Sequence, residues 1–439
     1  MFFVYSAVYT ISLIALLPYF VLNRKKYLSG FKQRLGFLPE FSSKGKPVVW
    51  IHCVSVGETN ASRPLVRTIK KRYPKLLLVV SVTTKTGYDL ARELYKNDAA
   101  LIFYIPFDIP FIVNKVMRQI KPSLILIMET EIWFNFFRSA RRNRSRVVIV
   151  NGRLSEKSAG RYALIRKTMK RVLRSVDLAL MQTSKDAHRL ISLGINSRKV
   201  KITGNFKFDQ KVDKNELSLT AYFKERFGFN DSTPLIVAAS THTPEEKWIL
   251  DAFKQMYLSG KQNLPRLVLV PRHPERFDEV GRLIEETGFS YVRRTSEFGI
   301  DDELADVVLL DTIGELRSIY PLADIVFVGG SLIPHGGQSI LEPAIAGRTI
   351  VTGYSLTNFE AVANEFAARE AFVRLPELEK DIVSDRLAAK FTELLDNKEL
   401  KEKLAENAFR VMKDNRGATA KTLKYLNPFL QVSGNVLHG

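Results

Sequence analysis

The sequence predicts an α/β protein with two doubly wound domains, each built on a parallel sheet that carries helices on both faces. Short apolar runs, such as residues 48–54 and 76–82, alternate along the chain with segments of helical spacing, such as 61–72 and 86–95. Strands without a polar face are typical of parallel sheets that are covered on both sides. The chain also has 439 residues, more than one hydrophobic core usually holds, so two domains are expected.

The first predicted element, residues 1–22, is a membrane-anchor helix. No charged residue occurs between Phe2 and Leu22, and a helix of 21 residues reaches about 30 Å, which matches the bilayer core. The basic run Arg24-Lys25-Lys26 follows, and by the positive-inside rule it places the remaining chain in the cytoplasm. Because polar residues and a proline interrupt the apolar stretch, a helix lying in the membrane interface is an alternative.

The first sheet domain is predicted over residues 23–210 and the second over 234–415. The strands expected in the first domain are residues 48–54, 76–82, 101–105, 124–128, 147–150, 178–181 and 200–203. Those expected in the second domain are residues 235–239, 267–270, 307–310, 325–328, 349–351 and 372–375. The polar range 211–233 is interpreted as a linker, and 416–439 as a helical tail that packs back on the first domain. Two Rossmann-like domains facing a central cleft are therefore expected.

The charge balance favours an anionic partner. Lysine and arginine number 66 against 46 aspartate and glutamate, which gives a net charge of +20. Nucleic acid, a phospholipid surface or a phosphorylated substrate would each satisfy this excess. Cys53 is the single cysteine, so an intrachain disulfide and a cysteine-based metal cluster are excluded. The six histidines are scattered, and His242, His273 and His335 are interpreted as loop or core residues.

A glycine-rich turn, Gly329 to Gly337, follows the apolar strand 324–328. A helix is predicted to open near Gln338 to Leu341, so its unpaired N–H groups and the positive end of its dipole would face the turn. This arrangement predicts a phosphate-binding loop, with Glu342 placed to accept hydrogen bonds from sugar hydroxyls. Taken alone, the glycines are equally consistent with an ordinary turn.

Charged side chains follow several strands of the first domain. Glu58 comes at a helix start after strand 48–54, and Glu129 and Glu131 follow strand 124–128. Ligands of open α/β sheets bind at this edge, where a carboxylate that the helix dipole helps to keep ionised can act as a general base. Glu58 could equally be a first-turn acid that only caps its helix. Lys207 follows the last strand and is expected to point toward the cleft, with a solvated lysine as the alternative.

In the second predicted domain, residues suited to bind a ligand also follow strands. Arg272 follows strand 267–270, where an arginine is suited to a bidentate grip on phosphate. The turn Asp311 to Glu315 follows strand 307–310 and offers free backbone groups. Together with the glycine-rich turn, three strand ends are expected to converge on one ligand.

These segments together resemble one known family. They are Ser55-Val-Gly-Glu58, Met128-Glu-Thr-Glu131-Ile-Trp, Gly204-Asn-Phe-Lys207-Phe-Asp, Pro271-Arg-His-Pro-Glu-Arg276, Ile313-Gly-Glu315-Leu, and Gly329-Gly-Ser-Leu-Ile-Pro-His-Gly-Gly with Leu341-Glu342-Pro. Their order and spacing resemble the 3-deoxy-D-manno-octulosonic acid (Kdo) transferases of lipopolysaccharide synthesis, glycosyltransferase family 30. The resemblance implies the GT-B fold and a metal-independent, inverting transfer of Kdo from CMP-Kdo to a lipid A precursor (lipid IVA) at the inner membrane, without a further cofactor.

The resemblance also implies roles for individual residues. Glu58 would be the general base, while Glu129 and Lys207 would stabilise the transition state. The residues expected to hold CMP are Pro271, Arg272, Ile313, Gly314, Glu315, Ser339, Ile340, Leu341 and Glu342. The basic segment 161–174 is suited to contact anionic inner-membrane lipids or a phosphorylated lipid, although a surface helix packed on its own domain is equally consistent.

Two other functions are compatible with parts of the sequence. Another GT-B enzyme, either a UDP-sugar transferase or a nucleotide-sugar epimerase, would share the fold and differ in donor. A membrane-tethered nucleic-acid-binding protein would account for the charge, but it predicts aromatic and basic residues interleaved on one face. Here the basic residues cluster on helices and the acids follow strands, so no nucleic-acid partner is expected.

Overall fold

The computed structural model describes residues 2–22, 29–210, 214–230, 232–260 and 264–435. The chain forms two compact units, one of residues 1–209 with 415–439 and the other of residues 210–414. Each unit contains one seven-stranded sheet in which all strand pairs are parallel. The predicted pair of parallel-sheet α/β domains is confirmed.

Within its described residues, the first unit begins with the helices α1 (Phe2–Ala15), α2 (Leu17–Leu22) and α3 (Phe31–Arg34). Its strands are β1 (Val48–Cys53), β2 (Leu77–Val82), β3 (Ala99–Tyr104), β4 (Leu124–Met128), β5 (Arg146–Gly152), β6 (Leu178–Met181) and β7 (Val200–Ile202). The helices between them are α4 (Val56–Arg72), α5 (Lys85–Leu94), α6 (Pro110–Ile120), α7 (Phe134–Arg142), α8 (Glu156–Ala163), α9 (Arg166–Leu173) and α10 (Ser184–Ser192). The strand order is β3-β2-β1-β4-β5-β6-β7.

Apolar residues fill both faces of this sheet, as the sequence predicts. Val48 and Trp50 of β1 belong to one hydrophobic core, while Val49 and Ile51 belong to another. Successive side chains of a strand point to opposite faces, so a continuous apolar run supplies both cores at once.

The second unit is built in the same way. Its strands are β8 (Leu235–Thr241), β9 (Arg266–Pro271), β10 (Tyr291–Arg293), β11 (Val307–Leu309), β12 (Ile325–Val328), β13 (Thr349–Thr352) and β14 (Val373–Arg374). Its helices are α11 (Lys214–Arg226), α12 (Glu245–Leu258), α13 (Phe277–Glu285), α14 (Leu316–Ile319), α15 (Leu341–Ile345), α16 (Glu360–Ala367), α17 (Val383–Asp396) and α18 (Lys398–Asp414). The strand order is β10-β11-β9-β8-β12-β13-β14.

Helix α11 occupies most of the range expected as a linker and is attached firmly to the second unit. The side chain of Arg226 is buried, and its Nε donates to Asp302 Oδ2 at 2.8 Å. The other guanidinium nitrogens donate to the carbonyl oxygens of Arg294 and Ser296, each at 2.8 Å. Burial of so large a charged group requires partners of this kind, so α11 is a fixed part of the unit.

The C-terminal helix α19 (Ala418–Asn435) packs on the first unit, where Leu423 and Leu426 join the core behind β1. Both oxygens of the Asp209 carboxylate accept backbone hydrogen bonds at the start of this helix, from Gly417 at 2.6 Å and from Thr419 at 2.5 Å. A carboxylate at a helix N-terminus satisfies N–H groups that lack a partner within the helix.

The N-terminal segment differs from the predicted spanning helix. It forms two helices, of 14 and 6 residues, with a break at Leu16. Pro18 lies at the second position of α2, and proline has no N–H to continue the hydrogen-bond ladder of α1. Tyr5 of α1 contacts the first unit, since its hydroxyl donates to Asp108 Oδ2 at 2.9 Å and its ring lies 4.5 Å from that of Phe134. Across the described residues, we find no helix with the length and apolar character needed to cross a bilayer.

Candidate active site

Glu58 lies in the first turn of α4 and caps that helix. Ser55 is the N-cap residue, and its hydroxyl accepts a hydrogen bond from the Glu58 backbone N–H at 3.4 Å. In return, Glu58 Oε2 accepts from the Val54 N–H at 2.8 Å. This reciprocal pattern is a variant of the capping box, so Glu58 does cap its helix, as one of its two sequence interpretations predicts.

The surroundings of Glu58 also change its acidity. Burial is the main cause that raises the pKa of its carboxyl to about 8, and the nearby Glu129 and Glu131 carboxylates add to the effect. The Val54 N–H and the Ser55 hydroxyl act in the opposite direction. Burial and like charge thus oppose the ionisation that the helix dipole is expected to favour. A buried carboxyl whose pKa lies near the working pH is typical of a catalytic base.

Glu129 and Lys207 lie within electrostatic reach of Glu58. Burial raises the pKa of Glu129, while the charges of Lys207 and Arg153 lower it. Burial lowers the pKa of Lys207, and Glu129 and Glu58 oppose that change. The structure thus brings the three predicted catalytic residues together at the carboxyl edge of the first sheet and adds Arg153, which the sequence analysis did not single out. Its position directly after β5 was the available signal.

Two residues in left-handed backbone conformations shape this edge. Glu129 follows β4 with a φ of 55°, and its N–H donates to the Val150 carbonyl oxygen at 3.0 Å. Asn151 in β5 has a φ of 52°, and its Oδ1 accepts from the Phe206 N–H at 2.9 Å, one residue before Lys207. Such conformations are uncommon outside glycine and concentrate at functional sites. Asn151, which the sequence analysis also missed, positions the turn that carries Lys207.

In the second unit, the glycine-rich turn binds a carboxylate of the protein itself. Glu245, at the start of α12, is completely buried. Its Oε2 accepts from the N–H groups of His242 at 3.0 Å and Gly330 at 2.6 Å. Its Oε1 accepts from Ser331 at 3.0 Å and Leu332 at 2.9 Å. The first half of the turn is therefore not the predicted phosphate-binding loop, because an internal carboxylate already occupies its N–H groups.

The following helix starts at the end of the predicted range and is short. Helix α15 begins at Leu341, three residues after Gln338, and contains five residues. The glycines that precede it serve close packing: a Cβ at Gly329 would lie 2.5 Å from the Ser240 carbonyl oxygen. These glycines are needed to bring β12 and β8 together at their carboxyl ends, which is a structural use of the pattern.

The remaining residues predicted to bind CMP follow neighbouring strands. Arg272 follows β9, and its side chain is exposed while its N–H donates to the Thr241 carbonyl oxygen at 3.0 Å. Ile313 is exposed at the turn after β11, where Gly314 has a φ of 89°. The Glu315 carboxylate is engaged with Arg294, whose Nε and Nη2 donate to it at 3.1 and 3.2 Å. Glu315 can therefore offer a ligand its backbone more readily than its side chain.

The segment from Ser339 to Glu342 lies at the carboxyl end of β12. Burial raises the pKa of Glu342, whereas the Ser339 hydroxyl lowers it. The Leu341 N–H donates to Ser339 Oγ at 3.4 Å. Because β11, β9, β8 and β12 are adjacent in the sheet, all the predicted CMP-binding segments share one edge of the second unit.

Comparison with known proteins agrees with this arrangement. Residues 29–210 match the family model described as 3-deoxy-D-manno-octulosonic-acid transferase (kdotransferase). A 3-deoxy-D-manno-octulosonic acid transferase from Haemophilus influenzae is 33% identical over 406 residues, which are 92% of each chain. One from Bordetella pertussis is 30% identical over 87% of each chain.

Among solved structures, the UDP-GlcNAc 2-epimerase from Neisseria meningitidis gives a TM-score of 0.55 at 14% identity, covering 87% of this chain and all of the other. A likeness at this identity shows the two-domain α/β fold alone. The sequence relatives go further, because they match nearly the whole chain at 30% identity or more. The chain belongs to the 3-deoxy-D-manno-octulosonic acid transferase family of glycosyltransferases.

Proposed function

We propose that this protein transfers Kdo from CMP-Kdo to a lipid A precursor in lipopolysaccharide synthesis, with inversion at the anomeric carbon and without a metal ion. The observation that carries this proposal is the 33% identity to the Haemophilus influenzae transferase over 92% of both chains. The first unit would bind the acceptor, because it contains the carboxylate suited to activate a hydroxyl. The second unit would bind the CMP portion of the donor.

Glu58 would act as the general base. Its carboxylate takes the proton of an acceptor hydroxyl, and the hydroxyl oxygen then forms a bond to the anomeric carbon of Kdo. The bond between that carbon and the phosphate oxygen breaks, so CMP leaves with the electron pair. A carboxyl with a pKa of about 8 is a stronger base than an exposed glutamate, which supports this role.

Lys207 and Glu129 would stabilise the charges of this reaction. Each lies in the electrostatic field of the other, and both are within reach of Glu58. The ammonium group of Lys207 can offset negative charge on the donor carboxylate or on the leaving phosphate. Glu129 in turn favours the charged form of Lys207, which burial alone would disfavour.

Arg272→Ala is expected to weaken CMP binding by about 10- to 100-fold, because a charge-assisted contact contributes about 1.5–3 kcal/mol. Arg272 is exposed at the carboxyl end of β9, where its guanidinium is free to reach a phosphate. Calorimetric titration with CMP measures the effect. Arg282→Ala, which removes another exposed arginine of the same unit, is the control and should bind CMP normally. An unchanged dissociation constant in Arg272→Ala would remove this residue from the donor site.

The protein would work at the cytoplasmic face of the inner membrane. Helix α1 exposes Phe3, Ile11 and Ile14, each to more than 60%. Between α8 and α9, Leu164 is 87% exposed beside the basic Arg166. Apolar side chains next to basic groups are suited to an anionic membrane surface. The same segment packs Met169 and Leu173 inward, so it serves as a surface helix of its own unit as well.

Leu164→Asp is expected to reduce binding to vesicles that contain phosphatidylglycerol by about 10- to 100-fold, since a buried leucine contributes about 1.5–3 kcal/mol. Vesicle co-sedimentation measures the bound fraction. Leu258→Asp is a matched control, because Leu258 is 77% exposed but belongs to the second unit. Equal loss in both variants, or none in Leu164→Asp, would contradict a membrane contact at Leu164.

Mass spectrometry tests the proposed reaction directly. A tetraacylated lipid A precursor is incubated with the protein and freshly generated CMP-Kdo in the presence of EDTA. A mass gain of one or more Kdo units would support the donor, the acceptor and the metal independence together. If no gain occurs with or without Mg²⁺, a transfer from another nucleotide sugar in the same assay would retain the glycosyltransferase and replace its substrate.

A further inference from the structure

Three histidines gather at the carboxyl edge of the second sheet. His242 follows β8, His273 follows β9, and His335 belongs to the turn after β12. The ring of His242 lies 4.2 Å from that of His335 and 5.2 Å from that of His273, measured between centroids. His242 is only 7% exposed. Residues 93 positions apart in sequence thus form one cluster beside the predicted CMP-binding segments.

This cluster is not arranged for a metal ion. In the parts of the chain that the structure describes, no group of three or more histidine, cysteine, aspartate or glutamate side chains could hold one. The ring of His242 is packed closely against the glycine-rich turn: a Cβ at Gly330 would lie 3.1 Å from its Cδ2. The cluster therefore needs another explanation than coordination.

Positive charge surrounds His242. Burial, the other two histidines, Arg272 and Arg276 together lower the pKa of its ring to about 4. The Glu245 carboxylate, which accepts from the His242 N–H, is directed toward four backbone N–H groups, and burial raises its pKa to about 7.

The other acids beside the cluster contact groups other than the His242 ring. Glu246 and Glu279 pair with Arg276, and Glu275 lies 3.7 Å from His273 Nδ1. Within the described residues, no hydrogen bond or ion pair joins a carboxylate to the His242 ring. An anion bound beside His242 would reduce the electrostatic repulsion among the surrounding cationic groups.

The Gln338 amide can form a hydrogen bond with His242 in either protonation state of the ring. The Gln338 amide nitrogen lies 3.2 Å from His242 Nε2, so the neutral ring can accept a hydrogen bond from the amide. A protonated ring would donate from the same nitrogen, and an amide rotated by half a turn would then present its oxygen. Gln338 immediately precedes Ser339, the first residue of the last predicted CMP-binding segment.

We propose that His242, with His335 and Gln338, forms a phosphate site that takes up a proton when the phosphate of a CMP ligand binds. This inference rests on the proposed function, since it assigns the CMP ligand to this edge of the sheet. Binding and protonation are linked, so each favours the other. The affinity for CMP should then rise as the pH falls from about 8 toward about 6, where the phosphate itself begins to gain a proton, by up to about tenfold per pH unit.

Calorimetric titration of the full chain with CMP at pH 7.5, in buffers of different ionisation enthalpy, counts the protons taken up. We expect a net uptake of protons when the native protein binds CMP. His242→Gln should lose most of that uptake, as well as the rise in affinity at lower pH. His188→Gln, which removes an exposed histidine of the first unit, should behave as the native protein. Cytidine, which lacks the phosphate, should bind without proton uptake.

The outcomes separate this inference from the proposed function. CMP binding without proton uptake, or with the same uptake in His242→Gln, would overturn the inference and leave the CMP-dependent function intact. If CMP does not bind at all, the proposed donor is wrong, and inorganic phosphate replaces it as the probe. Phosphate binding with uptake that His242→Gln abolishes supports the site, whereas its absence overturns it. If His242→Gln fails to fold, His335→Gln replaces it. His335 is exposed, so the fold should tolerate this substitution. Because His335 belongs to the proposed phosphate site, its loss should reduce proton uptake on binding.

Discussion

Glu58→Gln is expected to reduce Kdo transfer by about 10²- to 10⁴-fold while leaving CMP binding unchanged, since that is the usual contribution of a general base. The amide has the same shape as the carboxylate and can still accept the Val54 N–H bond that caps α4. It cannot accept the acceptor's proton. A transfer assay with matched CMP titrations separates the two effects, and full activity of the variant would exclude Glu58 as the base.

The pH dependence gives a second test of Glu58. A base must be deprotonated, so kcat/KM for the acceptor should rise with pH and level off above about 8, the pKa of the Glu58 carboxyl. Glu131→Gln is the informative control, because the charge of Glu131 helps to raise that pKa. This variant should remain active, with its pH profile shifted to lower pH. A profile that does not move would mean that another group sets it.

The same shift predicts how Glu58 affects stability. Its folded-state pKa is raised, so the folded protein binds this proton more tightly than the unfolded chain does. The resulting contribution to stability is present below the unfolded pKa of about 4.3 and is lost as the pH rises through about 8. The glutamine of Glu58→Gln does not ionise, so the variant does not lose stability in this way as the pH rises. At pH 9 it should therefore be at least as stable as the native protein. Loss of transfer in a variant that is at least as stable would point to chemistry rather than to folding.

Most strands could be predicted from sequence, because a strand buried on both faces is a short continuous run of apolar residues. β1 and β4 are apolar at every position of their buried stretches except His52, whatever their partners. The strand ends then predicted where Glu58, Glu129 and Lys207 would lie, since parallel strands present their carboxyl ends at one edge. By contrast, β10 was missed, because Tyr291 to Arg293 form a short edge strand of half-buried residues.

Glu245 could not be identified in this way. Its partners Gly330, Ser331 and Leu332 lie 85 to 87 positions away, and the bonds involve backbone groups that no side-chain pattern reveals. A glycine-rich turn after a strand has the same sequence whether the anion it binds is a ligand or a buried carboxylate of the protein. For the first half of the turn, the pattern therefore predicted an anion correctly and its source incorrectly.

That internal anion leads to the second large effect. Glu245→Ala is expected to destabilise the second unit by about 4 kcal/mol, because four buried N–H groups each lose a bond worth roughly 1 kcal/mol. Glu245→Gln should retain part of this, since its single amide oxygen can replace one carboxylate oxygen while its NH₂ group faces two donors. Chemical denaturation of both variants measures the order, native above Gln above Ala.

The loss should also be local enough to disturb donor binding. The turn that Glu245 fixes leads directly to Ser339 and Glu342, so its release should weaken CMP binding and expose residues 329–342 to limited proteolysis. Glu246→Gln is the matched control: Glu246 is equally buried on the same helix, but it contacts Arg276, which keeps Glu279 as a second partner. If Glu245→Ala and Glu246→Gln lose stability and CMP affinity equally, Glu245 has no special role in fixing the turn. If only Glu245→Ala opens the turn, the protein uses its own carboxylate to preform the surface on which the donor's phosphate is bound.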